Sequence, residues 1–442
     1  MKIAYVTAGA GGMLCGSCLH DNTLAAAIRG LGHDIALIPT YTPIRTDEAD
    51  VSIDEVFYGA INIYLQRRSS FFRRTPRFID RLLDHPSLLG WVARRASTTS
   101  AAELGALTLS VLRGEQGGQR KELQRLVAWL RDDFRPEIVH LTNSMFLGLA
   151  AGIRRELGVP VICSVQGEDL FLDRLEEPYH SQVLAELRAR AADVDIYIAP
   201  CRDHADRMSE LLGVSRARML VVPLGLNLDG YATRPAASPQ AASAPRPFTI
   251  GYLARFAPEK GFQLLIEAFR LLAQGADRPG GRKVALRAAG YLGENDRPWF
   301  EQQRARLASW GLADRFELVG EVDHAGKIAF LGSLDVLSVP TIYREAKGLF
   351  VLEALAAGVP FVQPDHGSFP EMLERTGGGL LFTPGSAEDL ARKLGDLMED
   401  PALRISLGER GNAAVRERGS AEAMAVETMK VYLAAGGAPC TS

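Results

Sequence analysis

Long apolar runs are missing from this 442-residue sequence: nothing approaches the roughly 18 consecutive apolar residues that a membrane-spanning helix needs. Cysteine is scarce as well, and five residues of it are too few to staple a chain of this length into a disulfide scaffold. Charge of one sign is also lacking. Lys and Arg number 50 against 53 Asp and Glu, and a formal net charge of -3 gives no overall attraction for nucleic acid or an anionic bilayer. No nucleic-acid partner is expected. The basic stretch, apolar run and cleavage site of a secretory leader are absent too: Met1-Lys2 passes directly into the strand-like Ile3-Ala4-Tyr5-Val6. Together these absences predict a cytoplasmic protein.

What is present is the composition of a folded globular chain, 47% hydrophobic and 23% charged, with length enough for two domains. Short β-branched runs alternate with helical stretches, the pattern of parallel sheets covered by helices. In the first half the spacing predicts strands at Lys2–Thr7, Asp34–Pro39, Glu137–Leu141, Pro160–Val165, Asp195–Ala199 and Met219–Pro223, with helices over Asn22–Gly30 and Lys121–Asp132. Thr233–Pro247, made of Pro, Ala, Ser and other small or polar residues, reads as a linker. The alternation then restarts, with strands predicted at Phe248–Ala254, Lys283–Ala289, Phe316–Val319, Asp335–Val339, Pro360–Gln363 and Gly379–Phe382, and helices at Gly261–Leu272 and Gly348–Ala357. The fold class expected is α/β: two Rossmann-like, doubly wound domains facing across a cleft. Ligands of such sheets sit outside the carboxyl ends of the strands.

One stretch departs from this rhythm. Residues 67–95 carry eight arginines against Asp80 and Asp84, interleaved with Phe71, Phe72, Phe78 and Trp91. It reads either as an insertion packed on the domain or as an element for peripheral contact with an anionic acceptor or a membrane surface.

Three constellations carry chemistry. The first runs from Glu345 to Pro360 (EAKGLFVLEALAAGVP): a carboxylate, a helix start, a second carboxylate at Glu353 inside the helix, then Gly-Val-Pro entering a strand. The N–H groups of Lys347, Gly348 and Leu349 at that helix start would face an anion. The second, Gly251–Gly261, ends a strand with Arg255 and Lys260 placed to neutralise a diphosphate. The third, Gly9-Ala-Gly11-Gly12 followed by Cys15-Gly-Ser-Cys18, lets backbone approach a phosphate or sugar closely. The cysteine pair there reads as packed thiols, with a regulatory disulfide as the alternative. Asp193-Val-Asp195, at the junction of a helix and a strand, reads as a chain reversal, and no His, Cys and Asp cluster has metal-ligand spacing.

These segments resemble the retaining glycosyltransferases of family four, which have the GT-B fold and a Glu-x7-Glu motif. The family usually begins that motif Glu-Gly-Phe-Gly-Leu; Ala346 and Lys347 replace the first glycine and the phenylalanine here. The resemblance implies a nucleoside-diphosphate-sugar donor and no cofactor or metal. It implies that Glu345 lies at the donor sugar, that Glu353 binds the donor ribose, and that Arg255 and Lys260 hold the diphosphate. Gly11 and Gly12 would lie under the donor, and Val322, in FELVGEV, would bring backbone to the base. The family often has a histidine where this chain has Gln166, so Gln166, Asn143 and His140 are the candidates for acceptor or sugar contact. By the same resemblance the domains are 1–232 and 248–420, with a final helix at about 421–436 returning to the first. The expected function is retaining glycosyl transfer to an acceptor the sequence does not specify. The alternatives are a glucan synthase like the starch and glycogen synthases, and a non-catalytic sugar-nucleotide-binding protein.

Overall fold

A computed structural model describes residues 1–9, 16–54, 56–57, 101–231, 246–276 and 282–437. Gly11, Gly12, Cys15, the arginine-aromatic stretch 67–95 and nearly all of the linker lie outside the described residues. The chain divides into two compact units, Met1–Leu224 with Ala421–Ser442, and Gly225–Ser420.

The first unit is built on a parallel sheet of six strands in the order β2-β1-β3-β4-β5-β6: β1 Lys2–Thr7, β2 Asp34–Pro39, β3 Ile138–Leu141, β4 Val161–Ser164, β5 Ile196–Ala199 and β6 Met219–Val221. The strands are short and apolar because both faces are covered. Along β1, Ile3 and Tyr5 enter one buried cluster while Ala4 and Val6 enter the other, as the period of two demands. Each fully buried aliphatic side chain of this kind contributes roughly 1.5–3 kcal/mol. The helices Gly16–Gly30 and Ala421–Gly437 pack together, and both feed Ile3, Tyr5 and their neighbours through Leu24, Ile28, Ala425 and Tyr432.

The second unit repeats the plan in the order β12-β11-β10-β7-β8-β9, with β7 Phe248–Leu253, β8 Val284–Ala289, β9 Phe316–Gly320, β10 Val336–Leu337, β11 Phe361–Pro364 and β12 Gly379–Phe382, again parallel. Tyr252, Phe256, Phe262 and Phe300 form an aromatic cluster beside β7, with ring centroids 4.6–5.6 Å apart.

Two boundaries differ from the sequence reading. The first helix begins at Gly16, not Asn22, because the polar run His20-Asp21-Asn22-Thr23 is helical and buried. Asn22, for example, bonds the carbonyl of Ala49 and the N–H of Val51 at 2.9 Å each. The first unit ends at Leu224, not 232. Gly225–Tyr231 joins the second unit: the Leu226 N–H bonds Gly419 at 2.9 Å and Arg416 bonds the Tyr231 carbonyl at 2.6 Å. Among the described residues no helix is long and apolar enough to cross a membrane.

Candidate active site

In each sheet the chain departs in opposite directions from two neighbouring strands, β1 and β3 in the first unit, β7 and β10 in the second. Beyond the carboxyl ends of such a pair, the diverging connections leave a crevice where α/β proteins bind ligands.

In the second unit the sequence's two motifs meet there. Lys260, in the turn after β7, donates to Glu345 Oε2 at 2.7 Å across 85 positions of chain. Tyr343 joins them: its hydroxyl accepts from Lys260 at 2.5 Å and donates to the same Glu345 oxygen. The Lys347 N–H donates to Glu345 Oε1 at 3.2 Å. Burial alone would raise the Glu345 pKa, but the Lys260 charge and these hydrogen bonds hold it at about 2, so the carboxylate is ionised at neutral pH. Burial and the same carboxylate push the Tyr343 hydroxyl well above its ordinary value. Arg255, 44% exposed, pairs with Glu259 four residues on.

The backbone fixes this carboxylate from behind. The Ser368 N–H bonds the Glu345 carbonyl at 2.8 Å. Gly367, at φ +62°, lies so close that a Cβ there would meet the Glu345 backbone at 2.6–2.7 Å. Gly348, at φ +60°, turns the chain into the helix Leu349–Ala356. The Gly348 and Leu349 N–H groups have no partner among the described residues, so they stay available to an anion. The Lys347 N–H is not available in the same way, because Glu345 occupies it. Glu353 lies a turn into that helix and pairs with Lys327 on the helix His324–Gly332 at 2.6 Å. Val322 is half-buried just after β9.

The first unit's edge is organised around Asp21, which sequence reasoning did not single out. This fully buried carboxylate accepts from Tyr5 at 2.5 Å, Thr7 and Thr142 at 2.6 Å each, Gln166 at 2.9 Å and His20 at 3.2 Å. Burial opposes its charge, but His20 and the hydroxyl donors lower its pKa below the ordinary value. Gln166, 8% exposed, spends its amide N–H groups on Asp21 and Thr142, so its described role is to tie β3 to β4. Glu168 accepts from the N–H groups of Ser144 and Gln166 at 2.9 and 2.6 Å and fastens the same loop. Asn143 caps the turn Ser144–Leu149 through the Met145 N–H at 3.0 Å.

His140, a candidate for acceptor or sugar contact, is enclosed by its own unit. It is 0% exposed, bonded to Tyr432 at 2.6 Å and Ser164 at 2.8 Å, and stacked on Tyr5 at 4.3 Å. Burial drives its pKa to about 3. Asp195 takes the N–H of Val161 at 2.8 Å and an ion pair from Arg154, a tie between β4 and β5.

The missed residues left faint signals. Asp21 belongs to four consecutive polar residues directly before the apolar run Leu24–Ile28 of the same helix, and Tyr343 stands two residues before Glu345. Nothing local links Lys327 to Glu353.

Comparison with known proteins agrees with this architecture. Residues 22–225 match the family described as glycosyl transferase 4-like domain, and residues 233–414 match glycosyl transferases group 1. The chain is 32% identical over 213 residues to the phosphatidyl-myo-inositol mannosyltransferase of Mycobacterium leprae, a match that takes in 48% of this chain and 52% of that protein. It is 28% identical over 310 residues to the glycogen synthase of Mycobacterium tuberculosis, covering 68% and 70% of the two chains. The crystal structure of Anabaena Alr3699/HepE in complex with UDP superposes with a TM-score of 0.65 at 17% identity, covering 98% of this chain and 100% of that one. Two parallel Rossmann-like units with such neighbours define the GT-B class. The chain belongs to glycosyltransferase family four. Its match spans about half the length of the mannosyltransferase.

Proposed function

We propose that the protein transfers a glycosyl unit from a nucleoside-diphosphate sugar to an acceptor with retention of anomeric configuration, and that the nucleoside is uridine. The observation that carries the reading is the meeting of Lys260 and Glu345 at the β7/β10 crevice, 2.7 Å apart. The matching families support it, as do structural neighbours solved with UDP and with UDP-glucose. Arg255, Lys260 and the helix start at Gly348 then stabilise the leaving diphosphate. Glu345, ionised and anchored through both oxygens, holds Lys260 in place and retains acceptor capacity for a donor hydroxyl. The departing phosphate oxygen takes the acceptor's proton, and the sugar is delivered to the face it left.

Slow hydrolysis of UDP-sugars without added acceptor is the assay. Lys260→Ala lowers kcat/KM by about 10²-fold or more if the lysine stabilises developing charge, and a near-normal rate overturns the assignment. The glycogen synthase relative supports a second reading, glucan extension. Incorporation of glucose into glycogen primer distinguishes it.

A further inference from the structure

The helix Leu349–Ala356 contains one charged residue among seven apolar ones, and that residue, Glu353, is buried. Its partner Lys327 is 8% exposed, and the two meet at 2.6 Å. Desolvating both charges costs about as much as their attraction returns, so an apolar pair would hold these helices at least as well. What the ion pair does, and an apolar pair cannot, is fix a carboxylate in one orientation. Only Oε1 is engaged by Lys327. The second oxygen, Oε2, makes no hydrogen bond among the described residues and is not sealed from solvent. The pair lies on the two helices that follow β9 and β10, on the carboxyl side of the sheet with Gly348 and Val322.

We propose that Lys327 is a positioning residue for the donor nucleoside. By holding Oε1 of Glu353 it presents Oε2 to the ribose hydroxyls, and so sets a preference for ribonucleotides over deoxyribonucleotides. This rests on the nucleotide-donor reading above. An ionised acceptor strengthens a hydrogen bond from a hydroxyl about twofold over a neutral one, and its orientation decides whether both diol hydroxyls are reached. Without Lys327 the carboxylate loses the partner that fixes Oε1, and its orientation is no longer set.

The test is calorimetric binding of UDP and 2′-deoxy-UDP to the full chain. The wild type is expected to prefer UDP by roughly tenfold or more. Lys327→Met narrows that preference to within about threefold while leaving 2′-deoxy-UDP affinity nearly unchanged, a ratio that a merely structural loss would not move. Should Lys327→Met fail to fold, Lys327→Gln, which keeps volume and a donor but removes the charge, is expected to give an intermediate ratio. A folded Lys327 variant with the full preference overturns the inference. Glu353→Gln separates the two levels of the argument. If it abolishes the preference while Lys327→Met does not, Lys327 alone is wrong. If it keeps the preference, the place of Glu353 at the ribose is wrong. If the wild type does not bind UDP, the donor reading itself falls.

Discussion

The crevice edges of the two units share one topology and use their polar groups in opposite ways. At β1/β3 the groups consume one another: Asp21 takes five donors, and His140 is shut between Tyr5, Ser164 and Tyr432. In the second unit the groups are ion pairs, Lys260 with Glu345 and Arg255 with Glu259 after β7 and β10, and Lys327 with Glu353 on the helices after β9 and β10. A saturated network gives rigidity. A set of ion pairs beside a helix start gives a place where an anion can exchange partners. The first edge is therefore a foundation and the second a working surface.

The strongest blow to this contrast is Asp21→Ala. It strands three hydroxyls and an amide in the interior and should cost roughly 3–5 kcal/mol of first-unit stability, read by denaturant unfolding with hydrogen exchange of β1, while UDP affinity holds. A loss below about 1 kcal/mol would mean the network is not the foundation claimed. Glu345→Gln should do the reverse. Turnover falls about 10²-fold while second-unit stability drops only about 1–2 kcal/mol, because Lys260 keeps Tyr343 as a partner and, at 19% exposed, still reaches water.

Acid should separate the units as well. His140 has a pKa of about 3 when folded against an ordinary 6.5, so unfolding takes up a proton between those values and first-unit stability declines as pH falls below about 6.5. Glu345, at about 2 against 4.5, confers stability that is present above its ordinary value and declines only as pH falls from there toward 2. Amide exchange followed against pH should show the first unit weakening first, and His140→Phe should flatten that upper window. Coincident acid transitions in that variant and the wild type would contradict the assignment. The smallest effect is expected of Gln166→Leu, about 1 kcal/mol of stability with UDP-sugar KM within twofold. A tenfold rise in KM would place Gln166 at the sugar.

Strand positions were legible because each is a short apolar run bounded by polar residues, and a parallel sheet leaves few other uses for such a run. Arg255, Lys260, Glu345 and Glu353 were legible because each motif is contiguous. The start of the first helix was not. His20-Asp21-Asn22-Thr23 has the polarity of a loop, and its burial is decided by Tyr5, Thr7, Thr142 and the Ala49–Val51 backbone, which are distant in sequence. Lys327 was hidden for the same reason, since its partner lies 26 residues away on another helix. His140 looked available because a histidine in an apolar strand gives no sign that a tyrosine 292 residues later will cover it.

That last separation bears on how the protein is made. The second unit is one continuous piece of chain, whereas the first is completed by residues from Ala421 onward. A ribosome adding about 5–20 residues per second must therefore release the whole second unit before Tyr432 can reach His140. During that interval the His140 ring and the apolar side of Gly16–Gly30 await their cover, so the nascent first unit is the part most in need of a chaperone.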